Sequence, residues 1–153
     1  MKQFAVLLIV VVYGLFLAAC TYVARFGVAN RSGEPLEVEY VIAPNAAAPD
    51  DPAVAPFKIN LVDFDSWNGQ TNWRRMLPDE YVYDKESRRF LIRLQPDEAV
   101  QIVEEPASGE DRYPNFKIAS LRIRGVHGAI EYAGADFYRQ FDKSGFNYFV
   151  GYR

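Results

Sequence analysis

Side chains that commonly carry enzyme chemistry are few in this sequence. It contains one histidine, His127, and one cysteine, Cys20. Nucleophilic catalysis needs a nucleophile, a base and a third group that orients the base, and a protein zinc site draws most of its ligands from Cys and His. His127 stands beside Gly128 in a predicted turn, where a solvated side chain is expected. We therefore expect no catalytic residue, no metal site and no cofactor.

Carboxylates are more numerous, and three pairs are adjacent in the sequence: Asp50 and Asp51, Asp79 and Glu80, Glu104 and Glu105. Glycoside hydrolysis requires two carboxyl groups about 5–10 Å apart on either side of a cleft. Neighbouring residues in a loop do not indicate that arrangement, so we expect a protein that is not an enzyme. A carboxylate-based hydrolase is the less favoured alternative.

The segment from Asp63 to Gly69 resembles the start of an acidic calcium-binding loop. Asp63, Asp65 and Asn68 offer oxygen ligands, but their spacing is off by one, and Trp67 stands where a further ligand should be. We interpret this segment as the solvated end of a strand.

The most suggestive cluster of side chains lies between residues 67 and 75. Trp67 and Trp73 flank a polar stretch, which is followed by Arg74 and Arg75. Trp and Arg are enriched among the residues that dominate protein interfaces, so an exposed patch of this kind would bind a protein partner or a glycan. In the other interpretation, one or both indoles fold back against the core with an Arg stacked on them. These four residues are the candidate binding site.

Most of the chain alternates apolar and polar residues with the period of two that is typical of half-buried strands. The clearest case is Leu36 to Ile42, where the polar positions include Glu37 and Glu39. Aromatic residues, which favour strands, include eleven Phe and ten Tyr. About seven to nine short strands predict a mainly β protein, an antiparallel β-sandwich of an immunoglobulin-like kind. A small barrel is the alternative.

Turn signals predict how the strands connect. We expect a hairpin between residues 21–29 and Leu36 to Ile42, and a second between Phe90 to Leu94 and Val100 to Ile102. A third hairpin is predicted at His127-Gly128. The predicted connections therefore join strands that are consecutive in the sequence.

The C-terminal part of the chain contains three further signals. A change of parity at Ala119-Ser120 predicts a β-bulge that keeps the flanking apolar side chains on one face. Asp136 to Lys143 is the one predicted helix, short and near the C-terminus, with Phe137 and Phe141 four residues apart. Phe146 to Tyr152 alternates again and predicts a C-terminal strand in the core.

The N-terminal residues have a different character. Met1-Lys2 gives a short positive start, Phe4 to Leu17 is almost entirely apolar, and small residues precede Cys20. This is the three-part plan of a secretory signal, and Leu17-Ala18-Ala19-Cys20 resembles the lipobox of bacterial lipoproteins. The resemblance implies that the chain is cut before Cys20, that the Cys20 thiol is acylated, and that two or three acyl chains hold it at a membrane.

Two other interpretations of this segment stay open. It could be an uncleaved transmembrane helix, although it is short of the roughly 20 apolar residues that typically cross a bilayer, or an ordinary signal peptide in which Cys20 is incidental. In lipoproteins of two-membrane bacteria, an Asp after the cysteine resembles an inner-membrane retention signal. Here Thr21 follows Cys20, which favours the outer membrane over the inner membrane.

These observations divide the chain into a lipoprotein signal peptide, residues 1–19, and a single lipid-anchored β-rich domain, residues 20–153. The net charge of −3 does not favour nucleic acid, which selects a basic surface. We expect an envelope lipoprotein that acts as a non-catalytic binding or accessory module. Its expected partners are the membrane, through acylated Cys20, and an envelope protein or a glycan, a glycan-binding module being the first alternative.

Overall fold

The computed structural model describes residues 21–46, 59–63, 73–108, 116–134, 137–145 and 147–153. These residues form a mainly β, sandwich-like fold of two sheets, in agreement with the alternating sequence pattern. Four of the features singled out in the sequence lie outside the described residues: the signal peptide with Cys20, the adjacent carboxylates Asp50 and Asp51, Trp67, and the acidic segment that follows Asp63.

Eleven strands are present in the described part of the chain. They are β1 (Thr21–Asn30), β2 (Leu36–Ile42), β3 (Asn60–Asp63), β4 (Arg74–Arg75), β5 (Tyr81–Asp84), β6 (Arg89–Leu94), β7 (Glu98–Ser108), β8 (Ile118–Gly125), β9 (Gly128–Ala133), β10 (Asp142–Ser144) and β11 (Asn147–Tyr152). Sheet I has the strand order β10-β11-β1-β7-β3-β4, and sheet II has the order β5-β6-β2-β8-β9. Among these eleven strands, β1 and β11 are the one parallel pair, and the other neighbours are antiparallel.

Two of the three predicted hairpins are wrong, because the chain passes from one sheet to the other at those turns. β1 belongs to sheet I and β2 to sheet II, and β6 and β7 are divided in the same way. The third hairpin is confirmed: β8 and β9 pair through a turn of Val126 and His127, with Gly125 opposite Gly128. Alternation specifies which face of a strand is buried, but it does not specify the neighbouring strand.

Asn30 explains why the β1–β2 and β6–β7 connections, at which the chain passes between the sheets, lie side by side. Its side chain is completely buried, and Nδ2 donates to the carbonyl of Glu34 at 2.9 Å and to that of Leu94 at 3.2 Å. The amide oxygen accepts the N–H of Ser32 at 2.9 Å. One paired amide thus ties the end of β1 to the end of β6. We call this end of the sandwich the Asn30 end, and the opposite end, where β1 begins, the Thr21 end.

Aromatic rings fill much of the space between the sheets. Phe26 stacks on Phe116 with ring centroids 4.6 Å apart and also contacts Phe141 at 4.1 Å. In sheet II, Tyr40 stacks on Phe90 at 4.8 Å. Such ring pairs add about 0.5–1.5 kcal/mol beyond the apolar area they bury.

The predicted β-bulge is confirmed. In the pairing of β2 with β8, Val41 lies opposite Ser120 and Ile42 opposite Ile118, so Ala119 is the extra residue. The buried side chains of Ile118 and Leu121 therefore remain on the core face despite their different parity.

The predicted helix is not found among residues 137–143. A 3-10 helix occupies Phe137–Gln140, and strand β10 follows it. A helix this short is marginal alone, whereas β10 pairs its backbone with β11, Asp142 lying opposite Phe149. The predicted C-terminal strand is confirmed as β11, a neighbour of β1 in sheet I.

Candidate binding surfaces

Trp73 is half-buried against the outward face of sheet I. It immediately precedes β4, and it packs against a cluster of buried residues from three neighbouring strands, Ala29, Val62 and Ala99. This packing is what the second interpretation of the Trp–Arg patch expects for an indole. Phe149 from β11 packs against the same cluster, and the guanidinium of Arg31 lies 5.6 Å from the centre of its ring.

Arg74 is held by Glu80 across the connection between β4 and β5. The two guanidinium nitrogens Nη1 and Nη2 each donate to one carboxylate oxygen of Glu80 at 2.6 Å. The N–H of Leu77 also donates to Glu80 at 2.7 Å. The hydrogen bonds from Arg74 lower the pKa of Glu80, and those to Glu80 raise the pKa of Arg74. Because Arg74 is exposed and Glu80 is only half-buried, we expect the pair to stabilise the fold by roughly 0–1 kcal/mol.

The candidate patch is divided by the strand geometry of β4. Arg74 and Arg75 are both exposed, but consecutive residues of a strand point to opposite faces. Arg75 therefore shares a face with Trp73, whereas Arg74 points the other way, towards Glu80. The structure does not bring Trp73, Arg74 and Arg75 onto one surface, and Trp67 lies outside the described residues.

An open groove of about 510 Å³ lies at the Asn30 end of sheet II. Four segments line it: residues 35–37, 79–82, 91–93 and 124–126. Glu37 and Arg124 form an ion pair in it at 2.5 Å, and Arg93 lies opposite Glu37 on the adjacent strand. The exposed side chains of Val82 and Val126, at 62% and 66% of their full exposure, stand at the groove. The groove thus combines charges of both signs with apolar edges. Such a lining suits a ligand whose surface has both polar and apolar groups.

The outward face of sheet II carries charges that alternate from strand to strand. β6 contributes Arg89 and Arg93, β2 contributes Glu37 and Glu39, β8 contributes Arg122 and Arg124, and β9 contributes Glu131. In the register, Arg122 lies between Glu39 on one side and Glu131 on the other. We call this set of alternating charges the charge ladder. Opposite charges directly across from each other stabilise a strand pair by about 0.2–1 kcal/mol, so the charge ladder helps to determine which strands are neighbours.

The adjacent carboxylates in β7 point to opposite faces of sheet I. Glu104 lies 4.0 Å from Nε of Arg25, whereas Glu105 lies 3.1 Å from Nζ of Lys117. Burial raises the pKa of Glu105, and the nearby Lys117 opposes that rise. These two carboxylates are therefore held by different partners, and they do not form the facing pair that glycoside hydrolysis requires.

The other residues that could carry chemistry lie at separate places in the fold. His127 is exposed in the β8–β9 turn, and Asp79 and Glu80 lie at the groove, where Glu80 is bound to Arg74. Within the described ranges, no three residues of the types His, Cys, Asp and Glu are grouped as metal ligands.

The groove and the charge ladder have only a partial signal in the sequence. The parity of Glu37 and Glu39 indicates that they face outward, and Arg122 and Arg124 follow the same rule. Parity does not reveal that β2 lies between β6 and β8, and it is this order that brings Arg93, Glu37 and Arg124 together.

No helix in the described part of the chain is long and apolar enough to cross a membrane. Compared with models of protein families, with curated proteins and with solved structures, the chain gives no match in any of the three.

Proposed function

We propose that this protein is a bacterial envelope lipoprotein that serves as a non-catalytic binding or accessory module at a membrane surface. The observation that carries the proposal is the position of the lipobox-like Leu17-Ala18-Ala19-Cys20 directly before β1, which begins at Thr21. Almost no tether would separate the acyl chains from the domain. Thr21 after the cysteine supports the outer membrane as the location.

The length of β1 supports a defined orientation for such a module. β1 has ten residues, and at about 3.3 Å per residue it spans roughly 30 Å. The Thr21 end would therefore face the lipid, and the Asn30 end would face away from it. The groove lies at the Asn30 end, where a protein partner could reach it.

The glycan-binding alternative rests on Trp73, whose half-buried ring lies on a sheet face. The finer assignment of an immunoglobulin-like sandwich is also part of this proposal. It is supported by the repeated passage of the chain between the two sheets, which is a property of Greek-key sandwiches.

The anchor is tested by metabolic labelling with radioactive palmitate in the native host. We expect label on the wild-type chain and none on Cys20→Ala. Label that persists on Cys20→Ala, or a wild-type chain without label, would contradict the lipobox interpretation. Fractionation of the labelled protein on a density gradient then distinguishes outer from inner membrane.

The accessory role is tested by crosslinking in the same cells. A photo-crosslinking amino acid at Val126 places the probe at the groove, and one at Glu86, an exposed residue in the β5–β6 turn at the Thr21 end, is the matched control. We expect one dominant protein adduct from Val126 and not from Glu86. Adducts from Glu86 alone, or from neither site, would contradict a protein-binding role of the Asn30 end.

A further inference from the structure

The four outermost strands of the two sheets differ in how well they are protected. β4 has two residues, β10 has three and β5 has four, and each carries at least one charged side chain. β9 has six residues, and Glu131 is its only charge. Short length and charge are the usual means by which proteins prevent a sheet edge from pairing with another chain. β9 is therefore the least protected edge in the described part of the molecule.

The side chains of β9 are largely accessible. All its residues are exposed except Tyr132, which is half-buried and packs near Phe141 with ring centroids 5.6 Å apart. Ile130 is 43% exposed although it lies opposite Ile123, which is completely buried. The apolar inner face of sheet II thus extends as far as Ile130, with part of that side chain in solvent.

The backbone of β9 has polar groups directed away from β8. The two-residue turn makes Gly125 and Gly128 a hydrogen-bonded pair. Hydrogen-bonded and non-hydrogen-bonded pairs alternate along an antiparallel ladder, so Ala129, Glu131 and Ala133 direct their N–H and C=O groups to the open edge. A further strand can pair with these groups without displacing β8.

The charge ladder of sheet II indicates which side chains would suit that further strand. The outward charges are positive on β6, negative on β2, positive on β8 and negative on β9. Continuing the alternation places a positive charge opposite Glu131 and an apolar side chain next to Ile130. We propose that β9 is a docking edge for an extended segment of a partner protein, in which Lys or Arg alternates with apolar residues.

A second copy of β9 fits this edge poorly. The antiparallel register that places Ile130 opposite Tyr132 of the second copy also places the two Glu131 carboxylates opposite each other, which destabilises the pair. The register that centres on Ile130 places Glu131 opposite Ala129 and leaves it without a cation. A basic strand satisfies the edge in a way that a second copy does not.

This inference rests on the proposed role as a binding module and gives the chemical class of the partner. Its test uses the full chain purified in detergent and a fluorescent peptide of about eight residues that alternates Lys and Val. The matched control peptide alternates Glu and Val. We expect the Lys peptide to bind more tightly than the Glu peptide by about two- to fivefold, as a cross-strand ion pair implies.

Glu131→Lys reverses the charge at the edge and gives the decisive comparison. We expect this variant to lose its preference for the Lys peptide and to prefer the Glu peptide. Because the variant gains a ligand, a failure to fold cannot explain the result. Ala129→Pro, which removes an edge-directed N–H, should weaken both peptides while circular dichroism stays unchanged.

Three results would overturn the inference: no binding of either peptide to the wild type, equal binding of both, or a concentration-dependent dimer that the neutral variant Glu131→Gln strengthens, which would assign the edge to a second copy. The proposed function is tested separately by palmitate labelling and by crosslinking from Val126. If those experiments succeed while the peptides fail, the module role stands and the β9 edge is not its site. If they fail while the Lys peptide binds, the edge stands and the envelope role is wrong.

Discussion

The two outward faces of the sandwich are built in opposite ways. On sheet I, the outward residues Ala29 and Ala99 are completely buried and Val62 almost so, with Trp73 and Phe149 packed against them. On sheet II, many of the outward residues are charged, and several of these are exposed, as Arg89 and Arg93 are. One face is therefore covered by other side chains of the chain, and the other is open to solvent.

The difference shows that the alternating pattern of a strand does not by itself determine whether its outward side chains are buried. Their burial also depends on what covers that face of the sheet. β7 and β2 both alternate in orientation, but the outward positions of β7 at Ala99 and Gln101 are buried, whereas Glu37 and Glu39 of β2 are partly in solvent. Trp73 and Phe149 cover part of the outward face of sheet I. The buried outward residues of β7 are accordingly a small residue, Ala99, and an amide, Gln101. The alternating charges on sheet II need no cover, because each charge has opposite charges as neighbours.

The largest effect is expected from deleting residues 147–153. This deletion removes β11, the strand between β10 and β1, together with the buried side chains of Tyr148, Val150 and Tyr152. Without β11, one side of β1 loses its backbone partner and the core loses three large side chains. We expect loss of the cooperative thermal transition measured by circular dichroism. A truncated chain that melts like the parent would show that sheet I does not depend on this strand.

The contrast between the faces is tested most directly by placing the same charge on each. Ala99→Glu buries a carboxylate beneath Trp73 on sheet I and should lower the free energy of unfolding by about 3 kcal/mol. Val41→Glu on the outward face of sheet II lies opposite Arg89 and should change it by less than about 1 kcal/mol. Urea denaturation measures both. Equal losses at the two positions would mean that the outward faces are equivalent.

A smaller effect is expected where the two sheets meet at the Asn30 end. A Cβ added at Gly125 would lie 2.7 Å from Cε1 of Tyr152 and 2.9 Å from Cδ2 of Leu36. Gly125→Ala should therefore lower the free energy of unfolding by about 2 kcal/mol, as overpacking usually does. Gly33→Ala is the matched control, since no atom lies within 4 Å of the added Cβ. A shift in melting temperature at Gly33 as large as that at Gly125 would contradict the steric explanation.

The smallest effect concerns the ladder itself. A double-mutant cycle with Glu37→Gln and Arg124→Gln should give a coupling of about 0.5 kcal/mol, because exposed ion pairs contribute little. The coupling should fall at high salt, where exposed charges are screened. A coupling above about 2 kcal/mol that salt does not change would mean that this pair is part of the stabilising core and not of a recognition surface.

Much of the strand inventory is predictable from local sequence. The alternation at Leu36 to Ile42, the parity change at Ala119-Ser120 and the hairpin predicted at His127-Gly128 all correspond to observed features, although the turn itself lies one residue earlier, at Val126 and His127. Each of these signals depends only on residues close together in the chain, because strand periodicity and turn chemistry are local properties.

The two errors in connectivity and the missing helix share a physical cause. The segments around Asn30 and around Asp97 both contain good turn residues, and a turn between two strands in one sheet looks the same in sequence as a turn between two sheets. The side chain of Asn30 donates hydrogen bonds to the carbonyls of Glu34 and Leu94. The contact with Leu94, which is distant in the sequence, favours passage of the chain to the other sheet. In the same way, pairing of Asp142–Ser144 with β11 prevails over a weak local helical tendency.

The sequence by itself determined that this is a mainly β chain and which residues of its strands face inward, and it predicts a lipobox-like signal at Leu17-Ala18-Ala19-Cys20. The order of the strands was decided only by the tertiary structure, and with it the groove, the covered face beneath Trp73 and the charge ladder that ends at Glu131. The physical reason is that a period of two assigns each side chain to a face, whereas neighbours across strands are chosen by the packing of the whole core.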